Sequence, residues 1–341
     1  MRRKRVGIKD IARIAKLSPA AVSYALNGTG RLDSETRKRV IAIANELGYR
    51  ANINARHLRG KTSGLLAVAA SVRRGQSATH SGMDYIMSIW QSAAAAALER
   101  GYMLLLLPLG IGADELSSVP LDGGIVIDPI VRDPLIDDFN ALELPVVTIG
   151  QDVSRAAADT WWVDNDHAAL TRLVLEHLTD KGAERIGAIL TSSTYAYSDT
   201  AREVYERWGA ERGMSLNYVT IDETPTESAG YNAALKMLTT RPGAPDAIYA
   251  LIDRFAVGTM FAAAAVGYVV PRDLMIVSGN DGVATRSSTV PITAANLGTE
   301  ALGRNAVSML IDRVEGTPTR QHVVVPSHLE IRRSTEPSGR S

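Results

Sequence analysis

Apolar residues near the N-terminus recur at the spacing of two short helices joined by a tight turn. The first set falls at the i, i+3, i+4, i+7 spacing of one buried helical face and comprises Ile8, Ile11, Ala12 and Ala15. Ser18 is then a good N-cap, and Pro19 suits the first position of a second helix, where a missing N–H costs nothing. The pattern predicts two helices within residues 8–27.

The second of these helices has a buried side and an outer side. Val22, Ala25 and Leu26 point to the shared core. That assignment leaves an outer face composed of Ala20, Ser23, Tyr24 and Asn27. Two short amphipathic helices with so small a turn are typical of a helix-turn-helix, whose second helix enters the DNA major groove. Taken alone, the stretch also fits a fragment of any small helical bundle.

A basic N-terminal module favours the DNA-binding interpretation. Asp33 can cap a third helix, so that residues 1–50 form a three-helix headpiece. The whole chain has no net charge, yet residues 1–61 carry 15 Lys and Arg against 4 Asp and Glu, and the remainder carries 22 against 33. Such an asymmetry indicates a polyanionic partner for the basic module alone. We therefore expect double-stranded DNA as that partner.

Residues 51–62 form a predicted hinge helix or linker. A helix of one or two turns is marginal in water, so this segment is expected to need a partner in order to fold. Leu58 lies between Arg56 and Arg59, which is typical of an apolar wedge inserted between base steps in the minor groove. A plain linker with one apolar residue is the alternative.

Four stretches, in order, resemble the headpiece and hinge of LacI/GalR-family repressors: IKDIARIAKLS, AVSYALNG, SETRKRVIAIANELGY and NARHLR. The resemblance implies that Asn52 and Ala55 belong to the hinge helix and that Leu58 is its intercalating lever. The DNA-contacting residues assigned on this basis are Ser18, Pro19, Ala20, Ala21, Ser23, Tyr24, Asn27, Arg31, Asn52, Ala55, Arg56 and Leu58. The family's usual turn glycine is replaced here by Lys16.

Beyond the hinge, short apolar runs alternate with helical patterns. The predicted strands are Leu65–Ala70, Met103–Leu107, Gly124–Ile127, Val146–Ile149, Ile186–Leu190, Ala247–Leu251 and Leu274–Val277. The predicted helices cover residues 84–100, 133–142, 166–181, 199–213, 227–240, 254–267 and 299–315. This alternation predicts an α/β fold with doubly wound parallel sheets.

Residues 63–335 are too many for one such sheet, and the resemblance implies a periplasmic-binding-protein-like core of two lobes. This core would bind the effector and form the dimer. The chain would cross between the lobes near 161–163, 290–292 and 325. Lobe 1 would then cover about 63–162 and 291–325, and lobe 2 about 163–290 and 326–335, with residues 336–341 as a tail.

Acidic residues at or soon after the strand ends are candidate effector ligands, because open parallel sheets bind ligands beyond the carboxyl ends of their strands. The acidic candidates are Asp84, Asp128, Asp164, Asp253 and Asp281, and Arg202 is the candidate cation that would face them. Carboxylates that face an Arg can hold vicinal hydroxyls, whereas helix N-capping is the alternative role for Asp253 and Asp281. The resemblance implies a small-molecule effector such as a sugar or sugar derivative. Ile252, Asn280 and Leu297 depart from the family's polar and aromatic pattern, which disfavours a simple sugar.

The composition and the absence of known catalytic motifs exclude several other classes of protein. The chain has no cysteine, its six histidines show no metal-ligand spacing, and it carries no recognisable catalytic or cofactor-binding motif, so neither an enzyme nor a metal or cofactor site is expected. No apolar run has the length of a membrane span, and no signal peptide is evident, so we expect a cytoplasmic protein.

These observations predict a homodimeric repressor on a near-palindromic operator, controlled by an effector between the lobes. A solute-binding protein without a DNA role is the alternative.

Overall fold

The computed structural model describes residues 8–27, 32–47, 62–71, 83–191, 194–215, 217–222, 226–240 and 242–336. The chain divides into two compact units, Met1–Thr62 and Ser63–Ser341, which we call the headpiece unit and the core unit. Five residues predicted to contact DNA lie outside the described residues: Arg31, Asn52, Ala55, Arg56 and Leu58.

The headpiece unit contains the three predicted helices, α1 (Ile8–Ala15), α2 (Pro19–Asn27) and α3 (Ser34–Glu46). Their shared core consists of Ile11, Ala12, Ala15, Val22, Ala25, Val40 and Ala44, all buried. Both predicted N-caps are confirmed. The Ser18 hydroxyl accepts the Ala21 N–H at 3.1 Å, and an Asp33 carboxylate oxygen accepts the Thr36 N–H at 2.7 Å.

The turn between α1 and α2 is closed by a residue in the left-handed region. Lys16 has φ 54°, and the N–H of Leu17 donates to the carbonyl oxygen of Ala12 at 3.0 Å. This is the geometry that glycine adopts most easily at a helix C-terminus. A lysine there costs roughly 1–2 kcal/mol of backbone strain.

The core unit alternates strands and helices from Leu65 to Glu330. The elements up to the first crossing are β1 (Leu65–Ala70), α4 (Met83–Glu99), β2 (Met103–Leu106), α5 (Ala113–Ser117), β3 (Gly123–Ile127), α6 (Pro134–Ala141), β4 (Val146–Ile149) and β5 (Trp162–Asn165). Those that follow are α7 (His167–Asp180), β6 (Ile186–Thr191), α8 (Ala196–Glu211), β7 (Tyr218–Ile221), α9 (Glu227–Thr239), β8 (Ala247–Ala250), α10 (Asp253–Ala265), β9 (Met275–Ser278), α11 (Val283–Ser287), β10 (Thr293–Asn296), α12 (Thr299–Val314), β11 (His322–Val325) and β12 (His328–Glu330).

Two six-stranded sheets define the two lobes. The first sheet has the order β11-β5-β4-β3-β1-β2 and the second β12-β10-β9-β8-β6-β7. All pairings are parallel except β10 with β12. Every strand predicted from the sequence is present within one residue at each end, and each predicted helix is present within three.

Helices cover both faces of each sheet. In the first lobe, α4 and α12 pack together over one face, and α5 and α6 cover the other. In the second lobe, α9 and α10 pair over one face, while α7 and α8 cover the other. No helix in the described part of the chain is long and apolar enough to cross a membrane.

The chain crosses between the lobes after β5, after β10 and after β11. The first two crossings therefore lie further along the chain than predicted. Trp162–Asn165 pairs as a strand of the first sheet and Thr293–Asn296 as a strand of the second, so the predicted crossings near 161–163 and 290–292 are wrong by a few residues. Both stretches are short and partly polar, and their strand character depends on neighbours that the local sequence does not contain.

One buried side chain contacts all three crossings. Asn165 ends β5, and its Nδ2 donates to the carbonyl oxygens of Leu297, at 3.0 Å, and Val325, at 2.9 Å. These two carbonyls lie at the second and third crossings. The amide therefore satisfies backbone acceptors where the lobes join and fixes the three segments side by side.

The first sheet requires a residue without a side chain at Gly124. A Cβ built at this position would lie 2.1 Å from Cζ of the fully buried Phe139. We predict that Gly124→Ala lowers the free energy of unfolding by about 1–3 kcal/mol, since the ring in a packed core cannot move aside without strain. Denaturant unfolding, followed by tryptophan fluorescence, measures this loss.

Gly112→Ala provides the matched control. Its Cβ would meet only the flexible end of Glu115, at 3.2 Å. Adding Phe139→Leu to Gly124→Ala should recover part of the lost stability, because the smaller side chain leaves room for the methyl group. Equal stability of Gly124→Ala and Gly112→Ala would contradict the steric account.

Candidate functional site

The exposed side of α2 presents few hydrogen-bonding groups. Pro19 and Ala20 are exposed, Ala21 is half-buried, and Tyr24 is 50% exposed. The exposed Ser18 uses a lone pair of its hydroxyl for the cap of α2 and keeps its O–H available to a ligand. The side chain of Asn27 lies outside the described residues.

Ser23 does not lie on the outer face of α2, so that prediction is wrong. Ser23 is only 6% exposed to solvent. Helix α2 packs against both α1 and α3, and its buried side therefore covers Val22 and Ser23 together with Ala25. A small hydroxyl residue fits within this wider buried arc. Of the predicted reading residues on α2, Tyr24 is thus the one large, exposed polar side chain in the described part of the helix.

The second candidate site is the cleft of the core unit, where loops of the two lobes meet. The Val131 N–H donates to the carbonyl oxygen of Thr194 at 3.0 Å, and the Val283 N–H donates to Oδ2 of Asp84 at 3.1 Å. Because both contacts join segments near the carboxyl ends of strands, they place the predicted cleft residues on facing walls.

Asp128 is a carboxylate at the carboxyl end of the first sheet, beside Tyr85. It follows β3 with φ 50°, and the hydroxyl of Tyr85 lies 3.5 Å from its Oδ1. Burial, together with the negative charge of Asp164, raises the pKa of Asp128 to about 7, while His167 and Tyr85 oppose the shift. Asp128 therefore titrates near neutral pH.

Asp164, at the end of β5, is 5% exposed and well supported. Its oxygens accept hydrogen bonds from Nε2 of Gln151 at 3.0 Å and from its neighbour's backbone N–H at 2.8 Å, and Nε2 of His167 lies 3.0 Å away. The carboxylate thus holds a fixed position beside Asp128.

Aromatic rings stand beside these two carboxylates. The ring of Tyr197 lies 5.4 Å from that of Tyr195 and 5.7 Å from that of His167, measured between centroids. Burial and the charge of Asp128 raise the pKa of Tyr197 well above its usual value, and burial with the charges of Asp128 and Asp164 does the same for Tyr85. These phenols are neutral at physiological pH and surround the two carboxylates with aromatic rings.

Asp281 is held by the protein's own cations. Arg332 binds both its oxygens, at 2.8 and 2.9 Å, and Nη1 of Arg286 and the hydroxyl of Thr285 each lie 2.9 Å from it. Burial alone would raise the pKa of Asp281, but hydrogen bonds from Arg332, Thr285 and Arg286 lower it overall. This carboxylate is already saturated with donors.

Asp253 and Asp84 occupy different environments in the same region. Asp253 is buried at the start of α10, where burial raises its pKa, and its N–H donates to Oδ1 of Asn280 at 2.8 Å. Asp84 is exposed at the start of α4. It lines a cavity of about 190 Å³ together with Tyr85 and Asp281.

Arg202 does not face the carboxylates of the cleft, so the predicted pairing of an Arg with them is wrong. Helix α8 begins at Ala196, three residues earlier than predicted, which places Arg202 in its second turn. There its guanidinium binds Asp199 at 2.9 Å and Glu206 at 3.3 Å. These i−3 and i+4 pairs hold the side chain along its own helix.

The sequence interpretation missed five side chains of the cleft: Tyr85, Gln151, His167, Tyr195 and Tyr197. His167 follows Asp164 by one helical turn, and this spacing was the one local signal available. The others reach the site only through the packing of separate elements. Among the described residues, no group of three His, Asp or Glu side chains is arranged to hold a metal ion.

Two family models match the chain. The model for bacterial regulatory proteins of the lacI family matches residues 7–52, and that for the periplasmic binding protein-like domain matches residues 175–335. The HTH-type transcriptional repressor MelR of Bacillus subtilis strain 168 is 30% identical, with 96% of this chain and 97% of the relative covered. The HTH-type transcriptional regulator CelR of Thermobifida fusca is 25% identical, with 98% and 99% covered.

Solved structures share the fold over the same length. A CelR–cellobiose complex aligns with a TM-score of 0.72 at 23% identity, covering 97% of this chain and 100% of that one. The lac repressor dimer bound to operator and the anti-inducer ONPF aligns with a TM-score of 0.70 at 22% identity, covering 97% and 99%.

The raised pKa of Asp128 predicts a pH-dependent stability. The folded carboxyl retains its proton up to about pH 7, whereas the unfolded carboxyl loses it near 3.8. Stability is therefore lost as pH rises between these values. We predict that Asp128→Asn gains thermal stability relative to the wild type as pH rises from about 4 to about 7, with a constant difference above that.

Melting temperatures of both proteins across this pH range measure the effect. Asp180→Asn, which removes an exposed carboxylate at the end of α7, serves as the control. Asparagine tolerates the left-handed backbone of residue 128, so the variant introduces no new strain. A difference that does not change with pH would contradict the prediction.

Proposed function

The chain belongs to the lacI family of bacterial regulatory proteins, and we propose that it is a cytoplasmic, non-catalytic transcriptional repressor. In this proposal its affinity for a specific operator is set by a small molecule bound between the lobes of the core. The observation that carries the proposal is the presence on one chain of a basic helix-turn-helix with an exposed reading helix and a two-lobed core with a polar cleft.

The headpiece supports binding to double-stranded DNA, and one polar side chain of α2 is the main candidate for contacts with base edges. Pro19 and Ala20 cannot make bidentate contacts with base edges, although Ala20 can contact a thymine methyl group. Tyr24, half exposed on the same helix, can donate to or accept from a base edge or a phosphate. Among the described side chains of α2, direct readout therefore depends largely on Tyr24.

The hinge supplies the second part of the proposed specificity. The family resemblance implies that Asn52, Ala55 and Leu58 belong to a hinge helix, with Leu58 as a wedge in the minor groove. A wedge selects base steps that unstack easily, so operator deformability contributes where α2 makes few hydrogen bonds. Arg31 and Arg56 are assigned to the DNA contacts on the same basis.

The relatives support a dimer on a near-palindromic operator. One of the solved structures named above is a lac repressor dimer on its operator, and MelR is named a repressor. Two copies of this headpiece would occupy two half-sites related by the symmetry of the dimer. CelR was solved with cellobiose, which supports a sugar or another small polar ligand for the cleft of this chain.

Effector control follows from the three crossings between the lobes. A ligand held by both walls favours one relative position of the lobes, and the first lobe follows the hinge directly in the chain. If the two hinges of a dimer cannot pair, the wedge cannot enter the DNA. The ligand shifts this equilibrium only by its difference in affinity for the two states, typically about 1–3 kcal/mol.

We predict that Tyr24→Ala weakens binding to the cognate operator by about 1–3 kcal/mol, because it removes the exposed polar group of α2. The operator is a duplex selected from a randomised library by the full-length protein. Fluorescence anisotropy at several salt concentrations gives the affinity and the salt slope.

Ile41→Ala provides the control, because it shortens a 42% exposed apolar side chain on α3 without removing a polar group. Failure of the wild-type protein to select any duplex would overturn the DNA-binding function and favour a solute-binding protein. Equal affinities of Tyr24→Ala and the wild type would overturn the role of Tyr24 alone.

We also predict that Leu58→Ala weakens binding to the selected operator by at least about tenfold, while binding to unrelated duplex changes little. Unstacking a base step requires an apolar side chain of sufficient size, whereas phosphate contacts do not. Parallel titrations with operator and unrelated duplex measure both affinities. An equal loss on both duplexes would contradict the wedge.

A further inference from the structure

The carboxylates of Asp128 and Asp164 have no Arg or Lys partner in the part of the chain that the structure describes. Four arginines elsewhere in the second lobe bind other acids. Arg286 and Arg332 bind Asp281, Arg254 binds Glu227 at 2.7 Å, and Arg202 binds Asp199 and Glu206. The described partners of Asp164 are Gln151, His167 and a backbone N–H, and that of Asp128 is the long contact from Tyr85.

Among the described residues, four titratable groups from four different elements interact with Asp128. They are Tyr85 on α4, Asp164 on β5, His167 on α7 and Tyr197 on α8. One of these is a second carboxylate, two are neutral phenols, and one is an imidazole. The wall therefore offers negative charge together with the faces and hydroxyls of aromatic rings.

An acidic pair beside aromatic rings selects for positive charge. A ligand ammonium gains from the carboxylates and also from ring faces, on which cations bind with about 0.5–2 kcal/mol depending on desolvation. A phosphate or carboxylate ligand would instead meet negative charge, with no compensating Arg or Lys among the described residues of this wall. A neutral polyol can accept and donate hydrogen bonds here but gains nothing from the charge.

We propose that the effector is a positively charged organic amine whose ammonium group lies between Asp128, Asp164 and the ring of Tyr197. This inference rests on the proposed function, since it names the chemical class of ligand for the same cleft. It assigns the two carboxylates, which have no described Arg or Lys partner, to the ligand's charge and the phenol and amide groups around them to its polar substituents.

The proposal has a distinctive pH dependence. An ammonium group binds the ionised form of Asp128, whose pKa is about 7 without ligand. The affinity for a permanently charged amine should therefore rise about tenfold from about pH 6 to about pH 8, because the fraction of ionised Asp128 grows over this range. A neutral ligand lacks this gain.

The experiment uses cation and neutral probes of matched shape with the full-length protein. The pairs are choline with 3,3-dimethyl-1-butanol, and glucosamine with glucose, and glucose 6-phosphate serves as the anionic probe. Isothermal titration calorimetry should show at least one amine binding about tenfold or more tightly than its neutral partner, with no measurable binding of the phosphate. For choline, the titration is repeated across the stated pH range.

Two variants test the assignment to Asp128. Asp128→Asn should prefer the amine over its neutral partner less strongly than the wild type does, because only Asp164 and the ring of Tyr197 remain, and it should lose the pH dependence that ionisation of Asp128 produces. Asp180→Asn, which removes one exposed carboxylate at the far end of α7, should retain both properties. The pH titration of the wild type provides the same information even if Asp128→Asn does not fold.

Equal or tighter binding of the neutral partners, tight binding of the phosphate, or no binding by either amine would overturn the proposal. Operator binding in the absence of any ligand is measured separately. A protein that binds its operator but neither amine refutes only the amine inference, whereas one that binds an amine and no DNA refutes the repressor function.

Discussion

The side-chain amide of Asn165 joins the three segments on which the two-lobed core depends. It ends the strand that leaves the first lobe, and it donates to carbonyl oxygens at the two later crossings. Without these donors, the buried carbonyl of Val325 would lose its partner, which costs about 1–3 kcal/mol, and the partly buried carbonyl of Leu297 would lose its partner as well. The same short strand carries Asp164 one residue earlier, so the joint between the lobes and the wall of the cleft are set by adjacent residues.

The cleft contains carboxylates that are neutralised by arginines and carboxylates that are not, and the two kinds differ in the free energy needed to ionise them. Asp281 is neutralised by Arg332 and Arg286, so it contributes to the structure of the second lobe whether or not a ligand is present. Asp128 is held beside another carboxylate and partly removed from water, and its raised pKa records the cost of ionising it there. Ionised Asp128 is unfavourable in the empty cleft. A cationic ligand that stabilises the ionised carboxylate therefore gains more binding free energy here than it would beside a solvent-exposed carboxylate.

The fold was largely predictable because most of its strands are short runs of apolar residues and its helices show apolar residues at a regular helical spacing. Leu65–Ala70 is apolar throughout and Val146–Ile149 is apolar except for the β-branched Thr148, so their sequence alone predicts buried parallel strands. Thr293–Asn296 and His328–Glu330 have no such signal, since they are strands only because partners lie beside them. The burial of Ser23 was not predicted, because a helix that packs against two neighbours buries a wider arc than its single apolar stripe.

The candidate site was less predictable than the fold. The acids that follow strands were identified because strand ends are visible in the sequence, but their partners were not. Tyr85 and Tyr197 meet Asp128 from elements more than a hundred residues apart along the chain. Arg202 was expected to face these acids, yet two acids of its own helix are nearer and hold it.

The left-handed lysine in the headpiece turn has a consequence for how the protein responds to heat. The headpiece is a small unit whose core contains seven buried apolar residues, and it also carries the strain of Lys16. The core unit has two layered lobes and far more buried surface. Small units with little core open at lower free energy than large ones. Warming should therefore disable operator binding while the ligand cleft is still folded, so that temperature alone relieves repression without any ligand.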